Sequence, residues 1–96
     1  MSTVIYVTDD RDYPIEWDPT QYRYVQIADH IEAQIQDGTL AEGAALPSTR
    51  ALAEEYGVAN MTILRAVEVL VERKLVTVLH GRGTFVRRGS TDQPSQ

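Results

Sequence analysis

The stretch from Ser48 to Leu70 constrains this 96-residue chain more tightly than any other. Ser48 follows Pro47 and can cap a short helix from about Thr49 to Tyr56, on which Leu52, Ala53 and Tyr56 share one face. Gly57 breaks that helix, and Val58 can plug the corner beneath the turn. A second periodic run, from about Asn60 to Lys74, carries an inward stripe of Ile63, Ala66, Val67 and Leu70. Met61, Leu64, Arg65, Glu68 and Glu72 point the other way. Two helices joined by a glycine-containing turn of about three to four residues make a helix-turn-helix.

The flanks complete the architecture. Tyr24, Ile27, Ala28, Ile31 and Ile35 recur at helical spacing, while Gln26, Asp29, Glu32 and Gln36 lie off that stripe. Asp18-Pro19 is predicted to open this helix, as N-cap and first helical residue, and Gly38 to close it. Residues 38–47 are a connector punctuated by Gly38, Gly43 and Pro47. After the third helix, Leu75–Leu79 and Thr84–Arg88 read as strands around the turn His80-Gly81-Arg82-Gly83. The expected fold is α+β, mostly α: a winged helix-turn-helix of three helices and a C-terminal β-hairpin wing. Residues 19–88 are assigned to it, 1–18 to an N-terminal extension with a short β-prone run at Val4–Val7, and 89–96 to a disordered tail. The polar tail reads as a true end of the chain.

Charge is divided unevenly. Residues 1–42 carry nine acidic against two basic side chains, a net of −7; residues 43–96 carry five against seven, a net of +2. The chain is acidic as a whole, at −5, yet its second half suits an anionic partner.

Several classes of function are excluded. Without cysteine there is no disulfide framework, thiolate zinc site or cysteine nucleophile. His30 and His80 stand apart, so no metal or cofactor site is expected; His30 reads as a boundary residue beside its helix's apolar stripe. The aspartates at 9, 10 and 12 lack the glycine and glutamate spacing of a calcium loop and read as a solvated turn. Gly81-x-Gly83 lacks the third glycine of a dinucleotide fingerprint. Asn60-Met61-Thr62 fits a glycosylation pattern, but within a helix of a chain without a secretory signal. No acid lies in an apolar run that would raise its pKa, and an enzyme is not expected. No apolar run approaches the ~18 residues of a membrane helix. A cysteine-free, cytoplasmic domain is the class that fits.

Three places are candidates for a site. The start of the third helix offers Asn60, Met61, Leu64 and Arg65: Asn can pair with adenine, Arg with guanine, and an apolar side chain can touch the thymine methyl. An ordinary solvated helix face would look the same. The hairpin tip offers Arg82 between Gly81 and Gly83, with His80 beside it, suited to a minor groove or a row of phosphates. A tight turn with a solubilising arginine is the plainer account. Arg50 stands in the first turn of its helix, where the macrodipole disfavours a cation, so an anion nearby would explain it.

Taken together, these residues resemble the DNA-binding domain of the GntR family. Tyr24–Ile31, Ile35–Leu40 and Gly43-Ala-Ala-Leu-Pro-Ser-Thr-Arg50 look like its first half. Leu52-Ala-Glu-Glu-Tyr-Gly-Val58, Thr62-Ile-Leu-Arg-Ala-Val67, Leu70 and Gly81-Arg-Gly-Thr-Phe-Val86 look like its second. The resemblance implies a bacterial transcription regulator, read here as a repressor, that binds an inverted-repeat operator in double-stranded DNA as a homodimer. It places Arg50, with Ser48 and Thr49 of the same motif, Thr62 in the recognition helix, and the tip His80, Gly81 and Arg82 against DNA.

The chain departs from the family pattern at three points. Ala59 and Asn60 stand where Ser or Thr and then Arg are usual, and Leu64 stands where a second helix arginine is common, which implies an altered base preference or weaker binding. Family members normally continue into an effector-binding or dimerisation domain, so no metabolite pocket of the usual kind is expected in these residues. A dimer surface would then come from Val4, Ile5, Tyr6, Val7 and Trp17, an apolar surplus outside the three helices. The alternative reading is a winged helix that binds a protein partner, favoured by the acidic total.

Overall fold

In a computed structural model, which describes residues 13–88, three helices are followed by a two-stranded antiparallel hairpin. They are α1 (Arg23–Gln36), α2 (Thr49–Tyr56), α3 (Asn60–Glu72), β1 (Val76–Leu79) and β2 (Gly83–Val86). The Val4–Val7 run, the aspartate turn and the tail 89–96 lie outside the described residues. Helix α3 is the hub: α1, α2 and β1 all pack against it. Its stripe buries Ile63, Ala66 and Leu70 completely, against Ile27, Ala28 and Ile31 of α1 and Leu52, Ala53 and Tyr56 of α2 in one cluster. Val67, half-buried, packs at the margin. Burial of each large side chain contributes about 1.5–3 kcal/mol relative to exposure, and this shared core is what fixes the angle between α2 and α3.

Helix α2 begins as its sequence dictates: the Ser48 hydroxyl accepts a 3.0 Å hydrogen bond from the Ala51 amide. Ser48→Ala is expected to cost about 1 kcal/mol, seen as a lower thermal midpoint, with Ser48→Thr recovering most of it. An unchanged midpoint in the alanine variant would show that the cap is dispensable. The helix ends at Gly57, whose φ of 70° lies in the left-handed region.

Helix α1 starts later than Asp18-Pro19 predicts. The Asp18 carboxylate accepts from both the amide and the hydroxyl of Thr20, at 2.9 and 2.7 Å, and so closes a turn rather than capping a helix. Those bonds, the hydroxyl's first, hold its pKa below the ordinary carboxylate value. The helix begins at Arg23, behind Tyr22, with no side-chain cap. Gln26, expected on the polar side, is buried. Its amide accepts from the Asp18 amide at 2.9 Å and donates to the carbonyls of Asp18 and Gln21 at 2.9 and 3.0 Å, clamping the turn to the helix.

Helix α3 stops at Glu72, two residues short of the expected Lys74, because Lys74 takes a left-handed φ of 63°. Arg73 at the C-cap bridges back to α1, donating to Asp29 at 2.9 Å and Glu32 at 2.6 Å. The hairpin pairs Val76 with Val86 and Leu79 with Gly83. It also gains a neighbour that the sequence pattern does not announce. The α1–α2 connector lies along β2 through Leu46 N–H to Thr84 carbonyl, Val86 N–H to Ala44 carbonyl, and Gly43 N–H to Val86 carbonyl, all within 2.9 Å. The wing is thereby tied to the segment that leads into α2.

Candidate nucleic-acid interface

The start of α3 is open to anions. Ala59, its N-cap, has no side chain able to accept from the first amides, and no acidic residue occupies the first turn. Among the described residues, neither a capping side chain nor a first-turn acid offsets the partial positive charge of this helix start. Asn60, Met61, Leu64 and Arg65 are all exposed, Met61 by 60% and Leu64 by 45%. Two apolar side chains so exposed on a helix whose opposite face is fully buried are not serving the core. Thr62 is half-buried beside them.

Arg50 projects from the first turn of α2 with its side chain 84% exposed. Among the described residues it pairs with Glu54, one turn on, at 3.9 Å. At that exposure and length the pair contributes little, so the guanidinium is available to a stronger anion. Ser48 is exposed but its hydroxyl is engaged in the cap, and Thr49 is half-buried.

An open groove of about 490 Å³ joins the two helix starts. Arg50, Ala53 and Glu54 of α2, the corner Gly57-Val58-Ala59, and Asn60 of α3 line it, with Tyr13. The fold thus brings Arg50 and Asn60 to one surface although they are ten residues apart in the chain. His80, Gly81 and Arg82 do not line this groove. They form the exposed tip of the hairpin, where the Arg82 amide donates to the Leu79 carbonyl at 2.8 Å and Gly81 takes a φ of 80°. A non-glycine residue there would be strained, so the glycine lets Arg82 stand at the apex of a tight turn.

Two residues acquire roles that sequence reading does not supply. The Tyr13 ring lies over Gly57, so close that a Cβ on the glycine would come within 2.6 Å of it. No periodicity marks Tyr13; only the open space above a glycine admits it. Glu54 is the second: it pairs with Arg50 one turn away and stands on the groove wall.

Other aromatic and titratable groups make contacts within the domain away from this groove. Trp17 is partly buried against the core, with the Arg23 guanidinium 4.7 Å above its ring, and Tyr22 stacks on Tyr24 with ring centres 5.8 Å apart. His30 is half-buried at the boundary, where its Nδ1 shares a 2.7 Å hydrogen bond with the Tyr56 hydroxyl. Burial, then the Glu55 charge, pushes the Tyr56 phenol well above its usual value, so it stays neutral. Among the described residues no three His, Cys, Asp or Glu side chains converge as a metal site would require, and no helix is long and apolar enough to cross a membrane. A second cavity, about 140 Å³ and lined chiefly by Ile31, Leu40, Leu46, Leu52 and Tyr56, sits between α1 and α2.

Residues 23–86 match the family described as bacterial regulatory proteins, gntR family. The chain is 40% identical over 73 residues to the transcriptional repressor NagR of Bacillus subtilis, covering 76% of this chain and 30% of that protein. It is 44% identical over 64 residues to MngR, the mannosyl-D-glycerate transport and metabolism repressor of Escherichia coli, covering 67% of this chain and 27% of that one. The chain therefore spans less than a third of the length of these curated relatives. Among solved structures it is similar to a GntR family regulator from Listeria monocytogenes, at a TM-score of 0.70 and 32% identity over 74% of this chain and 62% of that one. It is also similar to the DNA-binding domain of AraR in complex with operator ORE1, at 0.68 and 27% over 80% and 94%.

Proposed function

The chain belongs to the gntR family of bacterial regulatory proteins, a family of DNA-binding transcription regulators and not of enzymes, and from that membership we propose that it reads a specific operator through α3 and the wing. The observation that carries the reading is the groove joining Arg50 to Asn60, beside a helix start left without a capping side chain. Arg50 engages a phosphate, and the amides at the start of α3 receive another. Asn60 and Arg65 read base edges, adenine and guanine being their natural partners, while Met61 and Leu64 lie against thymine methyl groups. Arg82 at the wing tip reaches the minor groove or its flanking phosphates, with His80 and Gly81 at its sides. Ser48 and Thr49 hold Arg50 at the helix start, and Thr62 supports α3 against the backbone.

Two copies bind an inverted repeat, one half-site each, and the protein acts as a repressor in the cytoplasm. Val4–Val7 and Trp17 remain the proposed source of a dimer surface, although the Trp17 ring is already partly covered by its own core. The operator-bound similarity of the AraR domain supports the mode of docking.

A binding selection on a random duplex library at roughly 100 mM salt tests this directly. The expected result is an enriched inverted repeat whose half-sites carry adenine and guanine at the positions facing Asn60 and Arg65. Weak, salt-labile binding without enrichment would overturn specific readout and favour a protein partner for the same face, because attraction to phosphate alone is generic.

A further inference from the structure

We propose that the groove at the helix-turn-helix corner is also a docking surface for the acidic segment that precedes it in the same chain, Asp9 to Asp12, and that this segment competes with DNA for Arg50. The competition rests on the DNA-binding reading above; the docking does not.

The occupant is set by covalent continuity. Tyr13 lines the groove with its ring over Gly57, and Arg50 lines the same groove. Asp12 immediately precedes Tyr13, and Asp9 and Asp10 follow within four residues upstream. At about 3.8 Å per residue, the chain from Tyr13 gives all three a reach of no more than roughly 15 Å. The sequence Asp-Asp-Arg-Asp carries a net charge of −2 in four positions. Its carboxylates offer Arg50 the same chemistry as a phosphate: planar or tetrahedral oxyanions that accept from a guanidinium.

The balance of charge makes the segment a weak ligand. Glu54, on the groove wall and 3.9 Å from Arg50, already supplies one negative charge and opposes a second. Tethering offsets that weakness, since a short linker holds the carboxylates at an effective concentration of about a millimolar. A weak tethered competitor is displaced by a duplex that presents many phosphates at once, and it disfavours isolated contacts. The segment cannot itself reinforce DNA binding, because three carboxylates beside a polyanion repel it.

The test compares the full chain with its D9N/D10N/D12N variant. Backbone amide NMR without DNA reads docking. The expected result is that Arg50, Glu54, Gly57 and Asn60 shift between the two proteins. Titration with a mixed-sequence duplex of about 20 base pairs at roughly 50 mM salt reads competition. The variant is expected to bind about fivefold more tightly, a gain that fades as salt shortens the ~10 Å screening length. Shifts confined to the substituted residues and their neighbours would overturn docking. A gain in affinity without groove shifts would overturn it too, since it would reflect through-space repulsion alone. Groove shifts with unchanged affinity would overturn the competition. Were neither protein to bind any duplex, the DNA-binding reading would fail, and the amide shifts would still decide whether the segment docks.

Discussion

Leu70→Ala is expected to remove about 3 kcal/mol of stability, the largest loss of any single substitution considered for this chain. Leu70 is fully buried on α3, in the cluster where α1, α2, β1 and β2 meet. Truncation loses the transfer energy of its terminal carbons and leaves a cavity that rigid neighbours on three sides cannot close. A domain of this size has only about 5–10 kcal/mol in total, so the substitution takes a large share of it. At about 4–8 °C per kcal/mol the thermal midpoint falls by roughly 12–24 °C. Leu64→Ala is the internal control. It deletes the same atoms from the same helix, at a side chain 45% exposed, and is expected to move stability by no more than about 0.5 kcal/mol. Thermal or urea unfolding of the two variants decides the matter. Similar losses in both would mean that the outer face of α3 is covered by something other than solvent.

That contrast was visible in the sequence, because it depends only on period. Residues 63, 66, 67 and 70 recur at helical spacing, and 61, 64 and 65 fall off that stripe. The Ser48 cap, the Gly57 corner and the hairpin turn were legible for the same reason: each is a local device whose partners lie within a few residues. What escaped the pattern is non-local. Ala44 to Leu46 have no alternation that marks a strand, and they pair with β2 because α1 and α2 hold them beside it. Asp18 has the chemistry of an N-cap and of a turn-former alike, and Thr20, two residues on, decides for the turn. Gln26 looks polar and is buried, since burial is tolerated where every amide atom finds a partner. The candidate interface was half legible. Arg50, Asn60 and Arg82 stood out by type and position, but only the folded corner shows that Arg50 and Asn60 share a groove and that Tyr13 stands in it.

The second large effect is on binding. The double variant Arg50→Ala, Arg82→Ala is expected to lose about a hundredfold in affinity for the selected duplex at roughly 100 mM salt. On the proposed reading each arginine makes a charge-assisted contact whose loss costs about 1.5 kcal/mol, and the two stand on separate elements, so their effects add. The fold is expected to survive. The Arg50 side chain is 84% exposed and, among the described residues, has only a long pair to Glu54; Arg82 is exposed at a turn apex. Salt dependence separates this mechanism from a general weakening. Two lost phosphate contacts lower the slope of log affinity against log salt by about two. Arg65→Ala is expected to behave differently: a loss of about 1–3 kcal/mol on the selected site, a nearly unchanged slope, and relaxed preference at one base pair. Anisotropy titrations across salt, on the selected duplex and on one altered at that base pair, distinguish the two patterns. An unchanged affinity in the double variant would remove Arg50 and the wing from the interface. A reduced slope with Arg65→Ala, at undiminished preference, would move that arginine from the bases to the backbone.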